Sequence, residues 1–195
     1  MSDARRPAPL LPGALTPEQR ALYDEICSGP RAGASRPNGP VDSLGRLTGP
    51  FDAMLRSPAV GAPLQRLGAA LRYASSVDDV TRELVILLVA GFHDSGYERA
   101  AHQRVARTLG VADGVLDAVD RGEVAAAVTA HPGAASALTL AHLLLHRDIR
   151  HDQGAEEVAE LRDALGEAAL FEVNTLVGYY STLATQLALF SVEAP

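Results

Sequence analysis

Apolar residues recur every three or four positions along most of the chain, and one stretch breaks that rhythm. From Leu84 to Ala90 every residue is apolar. A helix that is apolar all round is buried on every side, so the pattern predicts a central helix over 80–92, capped by Asp78 or Asp79. Glu83 stands at the entrance of the run, and Asp94-Ser95-Gly96 marks a turn at its exit. Ser95 is placed to cap a second helix that stops at Gly110, after Leu109. That helix carries Glu98 and His102, four residues apart and so on one face. The pattern predicts a site between two packed helices, one bringing a carboxylate and the next a Glu/His pair.

The rest of the chain also reads as helices. Residues 1–15, with Pro7, Pro9 and Pro12, predict an extended arm docked on the surface or on a partner chain. Thr16-Pro17-Glu18-Gln19 joins a cap, a proline suited to the first helical position and a Gln able to reach back, predicting a helix to about Ser28. Residues 29–49 are rich in Gly, Pro, Ser and Asn and predict a long loop. A binding lid and a plain connector are both open readings of it. Gly49 to Ser57 reads as a short helix, and Ser57-Pro58 opens another through Tyr73, with Val60, Leu64, Leu67 and Leu71 on one face. Short helices follow over 113–120 and 123–130. Longer ones run from Pro132 to about His146, from an Asp152 cap to Leu165 before Gly166, and from Glu167 to about Ser191. No strand pattern and no fixed-period repeat is present. The expected fold class is all-α, one domain over 1–195 built as a bundle of about eight helices.

The last of these helices carries a polar line, Glu172, Thr175, Tyr179, Thr182 and Gln186, on an otherwise apolar surface. The line faces water, or it is buried against a pocket or another subunit, with Gly178 permitting close approach.

Composition narrows the chemistry. The chain contains no lysine, so all 17 basic residues are arginine. Schiff-base chemistry, a P-loop lysine and biotinyl or lipoyl attachment are therefore excluded. Arginines clamp anions and do not shuttle protons at working pH. A net charge of -7 argues against a nucleic-acid or anionic-membrane surface. Cys27 is the single cysteine, which rules out an intrachain disulfide and a CxxC pair, and its helical setting reads as a small apolar residue. No signal peptide and no membrane-spanning run is recognisable, so a cytoplasmic protein is expected.

Glu83, Ser95, Glu98 and His102 form the strongest constellation. A carboxylate beside an imidazole orients the ring and raises its pKa, giving a proton donor near neutral pH. An ordinary Glu/His helix pair is the plainer alternative. Arg82, Arg99 and Arg104 lie on the same helices, and each could hold a substrate carboxylate by a two-pronged contact or be paired on the surface. His93 sits at the turn as a pocket-rim residue or a C-terminal cation for its helix. Tyr73 and Tyr97 line a pocket or belong to the core. His142 and His146, with His151 nearby, have a spacing that could hold a metal. No HExxH motif accompanies them, so surface or interface histidines are the expectation and no metal is expected.

These residues resemble a known family. Arg82-Glu83-Leu-Val-Ile-Leu, then Tyr97-Glu98-x-x-x-His102, then Leu109-Gly110-Val111 resembles the carboxymuconolactone decarboxylase family, within the alkyl hydroperoxidase D group. Leu165-Gly166-Glu167 with Glu172 and Val177-Gly178-Tyr179-Tyr180 is similar to the family's C-terminal helix. Thr16-Pro-Glu-Gln, Gly49-Pro-Phe and Ser57-Pro58 are similar to the N-terminal half of one subgroup. The resemblance implies an alkyl hydroperoxidase D-like bundle, no cofactor, a small-molecule substrate, and a homo-oligomer, trimer or hexamer, with the site near a subunit boundary.

The hydroperoxidase branch carries a CxxC pair, and the matching positions here are Ser95 and Glu98, with Glu83 and His102 kept. Without a thiolate, peroxide reduction of that type is excluded. The decarboxylase branch implies a lyase that removes CO2 from a carboxylated unsaturated lactone. His102 would be the proton donor, Glu98 would assist, Glu83 would orient the site, and Arg82 or Arg99 would hold the carboxylate, with Ser95, His93 and Tyr97 lining the substrate. Many members carry Trp after the motif glutamate. Arg99 stands there in this chain, which implies a different acidic or polar substrate, as in specialised metabolism. A non-catalytic oligomeric binding protein and an isomerase are the alternatives.

Overall fold

The computed structural model describes residues 7–29, 40–146 and 155–192, and within them it is an all-α protein. Among these residues there are nine α-helices, two short 3-10 turns and no strand beyond an isolated Val41–Leu47 bridge. The backbone divides into two compact units, one holding residues up to Ala74 together with 186–192, the other holding 75–185. No helix is long and apolar enough to cross a membrane among the described residues.

The first unit contains α1 (Pro17–Ser28), α2 (Pro50–Met54) and α3 (Pro58–Tyr73). The capping box at Thr16 forms as expected: its hydroxyl accepts from the Gln19 amide, and the Gln19 side chain accepts from the Thr16 amide. The arm docks on α2. The Leu10 amide donates to Asp52, and Arg56 donates to the Ala8 carbonyl and pairs with Asp52.

The core face of α3 differs from the apolar pattern. Gly61, Gln65, Gly68 and Leu71 are buried, whereas Val60 is 63% exposed and Leu67 39%. Close approach decides this. A Cβ on Gly61 would lie 2.3 Å from the Met54 carbonyl oxygen, so α3 meets α2 backbone to backbone at this glycine, and the neighbouring Val60 faces outward.

The second unit is built around α4 (Asp79–Phe92). Asp78 caps it by accepting from the Thr81 amide at 3.0 Å. Leu84 to Ala90 are all buried, against α5 (Gly96–Thr108), α6 (Asp113–Asp120) and α8 (Ala135–His146). Each fully buried large side chain there contributes on the order of 2 kcal/mol. The chain leaves α4 through a Schellman turn: Ser95 N–H donates to Ala90 C=O and Asp94 N–H to Gly91 C=O, with Asp94 at φ 48°. Asp tolerates this left-handed conformation better than most residues. Ser95 occupies the N-cap position of α5, but its side chain makes no capping bond.

A Cβ on Gly91 would lie 2.3 Å from the Asp120 carbonyl oxygen, so α4 and the end of α6 touch backbone to backbone. α7 (Val124–Ala130) follows, and Pro132 opens a 3-10 turn before α8, where the sequence predicts one continuous helix. The last element, α9 (Ala155–Leu189), is broken at Gly166, at φ 76° and ψ 162°, where the sequence predicts a stop. Its polar line does not behave as one unit. Tyr179 is 4% exposed, Thr182 faces outward, and Glu172 Oε2 accepts from Ser75 Oγ and from the Ser76 amide and hydroxyl.

Candidate functional site

Seven polar side chains are buried among the described residues, and six of them lie on α4 and α5 or their junction: Thr81, Arg82, Glu83, Ser95, Glu98 and His102. The Schellman turn folds α5 back along α4, so a residue near the start of α4 meets one a turn and a half into α5. Glu83 is fully buried, and its Oε2 lies 2.6 Å from His102 Nδ1. On the other side of the ring, His102 Nε2 lies 3.3 Å from Glu98 Oε2. Both ring nitrogens therefore face carboxylates. Glu98 is 3% exposed, and its second oxygen, Oε1, is buried with no hydrogen-bond partner among the described residues.

The charges follow from this geometry. Burial alone would push the His102 pKa down. The Glu83 charge and hydrogen bond, with those of Glu98, outweigh burial and raise it to about 9. At neutral pH the ring is an imidazolium donating from both nitrogens. Arg82, 6% exposed, adds a second positive charge: its Nε lies 3.9 Å from Glu83 Oε1, while its Nη2 donates to Asp79 at 2.6 Å. Asp79 itself is largely exposed. Two carboxylates, one imidazolium and one guanidinium thus sum to zero inside the protein, which is how buried charge is tolerated.

Of the residues singled out in the sequence, the structure brings Glu83, Glu98 and His102 into one contact set, with Arg82 alongside and Ser95 buried at the start of α5. Other candidates lie apart in role. Arg99 donates from Nε to Asp120 at 2.5 Å and from Nη2 to Asp94 at 3.1 Å, clamping the α4–α5 turn to the end of α6. Ion-pair partners for Arg99 are 5 and 21 residues away, beyond any helical periodicity. Tyr97 is half-buried one position before Glu98, about 100° round the helix from it. Tyr73, on α3 in the first unit, is 47% exposed. His93 packs edge-on against Phe92, with Nε2 buried and without a hydrogen-bond partner among the described residues, and burial lowers its pKa. His142 and His146 stack at 4.1 Å, and His146 Nδ1 donates to the His142 carbonyl. His151 lies outside the described residues. Among those described, no three His, Cys, Asp or Glu side chains converge as a metal ion needs.

One neighbour of the cluster escapes sequence reasoning. The Tyr180 ring stands edge-on to His102, centroids 5.1 Å apart at 89°. In the sequence Tyr180 belongs to the apolar circumference of the last helix, and nothing in its spacing links it to a residue 78 positions earlier. Cys27 is on α1 in the first unit, half-buried, with burial raising its thiol pKa, the setting of an unreactive thiol.

No protein-family model matches the chain, and no curated protein matches it significantly.

Proposed function

We propose that the chain is a cofactor-independent proton-transfer enzyme, a lyase similar to carboxymuconolactone decarboxylase, acting on a small carboxylated or enolisable lactone-type substrate. The observation that carries this reading is the placing of both His102 ring nitrogens against carboxylates, 2.6 Å from Glu83 and 3.3 Å from Glu98. In a decarboxylation the bond to the carboxyl carbon breaks and its electron pair moves into the conjugated carbonyl. CO2 leaves, and a proton must then reach the carbon. A buried imidazolium flanked by two carboxylates holds such a proton and can be re-protonated through either neighbour. The same reading includes a homo-oligomer, trimer or hexamer, and a cytoplasmic setting.

A second reading is a non-catalytic binding or accessory protein. What favours it is the commitment of the cluster's own partners: His102 is 7% exposed, Arg82 is paired to Asp79, and Arg99 is paired to Asp120 and Asp94.

The test is proton NMR in deuterated buffer with carboxymuconolactone, with and without a chelator. Chelator-insensitive loss of CO2 with deuterium incorporation supports the enzyme. His102→Ala should lower turnover by about 100-fold or more while circular dichroism shows the fold kept. Wild-type rates in that variant would refute the assignment of His102.

A further inference from the structure

We infer that Glu98 Oε1 is the atom that takes the substrate's proton, and that the substrate is an uncharged enolisable carbonyl compound. This rests on the proton-transfer reading above, takes its enolisable rather than its carboxylated substrate, and moves the step at the substrate from His102 to Glu98. Glu98 is 3% exposed; Oε2 faces His102 Nε2 at 3.3 Å, and Oε1 is buried with no hydrogen-bond partner among the described residues. A buried acceptor left open is unfavourable unless something completes it. His102 is less able to reach a substrate, because both its nitrogens already face carboxylates. Glu98 is therefore the catalytic residue, and Glu83 is a positioning residue that holds the imidazolium against it.

Charge selects the substrate. Glu83, Glu98, His102 and Arg82 sum to zero, Arg82 also reaches Asp79, and Arg99 is held by Asp120 and Asp94. A substrate carboxylate entering this cluster would be a buried negative charge without a counter-ion. An uncharged carbonyl compound leaves the balance intact. When it reacts, the C–H bond next to the carbonyl breaks and its electron pair moves onto the carbonyl oxygen as an enolate. The proton forms the O–H of Glu98, so the negative charge moves from Glu98 to the enolate and the total does not change. Return of the proton to the γ carbon completes a 1,3-shift; when the Glu98 O–H first exchanges with solvent deuterium, return to the original carbon gives isotope exchange.

The test uses the full chain and two probes in deuterated buffer, α-angelica lactone, an uncharged β,γ-unsaturated lactone, and carboxymuconolactone. Wild type should exchange or isomerise the uncharged lactone, Glu98→Gln should lower that rate by about 100-fold or more, and Glu98→Asp should recover part of it. A binding readout is independent of turnover. Glutamine at 98 mimics the protonated acid, so Glu98→Gln should bind 4-nitrophenolate, an enolate mimic, about 10-fold tighter than wild type. Glu83→Gln, which also lets His102 lose its charge, should not. Turnover of the carboxylated lactone alone overturns the inference and leaves the proton-transfer reading standing. Wild-type exchange in Glu98→Gln overturns it as well. Exchange of neither probe, with equal phenolate binding by wild type and Glu98→Gln, overturns both.

Discussion

Glu83→Gln separates the electrostatics of the buried cluster from its shape. The side chains are nearly equal in volume, and the amide oxygen can still accept from His102 Nδ1–H. Only the charge is removed. In the native protein, burial opposes the charged ring, and the Glu83 carboxylate at 2.6 Å, helped by Glu98 at 3.3 Å, carries the pKa from 6.5 up to about 9. The folded state thus holds the proton more tightly than the unfolded chain. That contribution to stability is complete below pH 6.5 and is lost as pH rises through about 9. The displacement is equivalent to roughly 3 kcal/mol. With Gln at 83, burial is opposed mainly by the more distant Glu98, so the ring should be neutral at pH 7. Urea unfolding followed by circular dichroism near pH 6 and near pH 9.5 measures the effect. Wild type should lose about 3 kcal/mol more than the variant between the two conditions, since the other titrating groups are common to both. At the lower pH the variant should be the less stable by a similar amount, the range found when one partner of a buried pair is removed. Ring NMR of His102 gives the titration directly. The same pH dependence in both proteins, or a wild-type His102 that titrates at its ordinary value, would refute the charge assignment.

Two further substitutions test the packing that positions the cluster. Gly91→Ala would set a Cβ 2.3 Å from the Asp120 carbonyl oxygen, so α4 must move from α6; calorimetry should show a loss of about 1–3 kcal/mol. Glu172→Gln weakens an acceptor of three bonds from Ser75 and Ser76, which join α9 to the turn before α4, and should cost about 1–2 kcal/mol at pH 7. Burial raises the Glu172 pKa, but the Ser76 and Ser75 donors outweigh it and leave the pKa lowered. That stability is present above the ordinary value of 4.5 and is lost as pH falls through the folded one, so the variant should match wild type in acid.

Local rules were legible where the chain carries their full signal. The Thr16 capping box, the Asp78 cap, the turn at Asp94-Ser95-Gly96 and the break at Gly166 all depend on a few adjacent residues, and all are present. The pairing of Glu83 with His102 was also readable, because a short turn between two helices constrains which residues can meet. Contacts set by packing between distant elements were not. The apolar line on α3 matched the core only in part: Leu71 is buried, but Val60 and Leu67 are exposed, and a backbone contact at Gly61 sets the side that meets α2. Arg99 reads as a candidate clamp in isolation, yet its nearest acceptor, Asp120, lies at the end of α6. Tyr180 carries no periodic mark of its place beside His102.

A buried ionic cluster is a poor device for stability alone. Well-packed apolar side chains in place of such a group are often neutral or stabilising by about 1–4 kcal/mol. The seven residues that follow Glu83 are that simpler solution, a wholly apolar run packed on every side. The one-residue change from Leu84 to Glu83 therefore brings a desolvation cost that the fold does not require. The cost is contained because Glu83, Glu98, Arg82 and a His102 protonated on both ring nitrogens sum to zero. Neutrality has a second consequence: a proton passed between His102 and either carboxylate leaves the total charge of the cluster unchanged. A proton arriving from outside does change it, unless the donor keeps the negative charge within reach. A carbon acid bound against Glu98 does so, and that condition ties the open oxygen of Glu98 to enolate chemistry more closely than to anion binding.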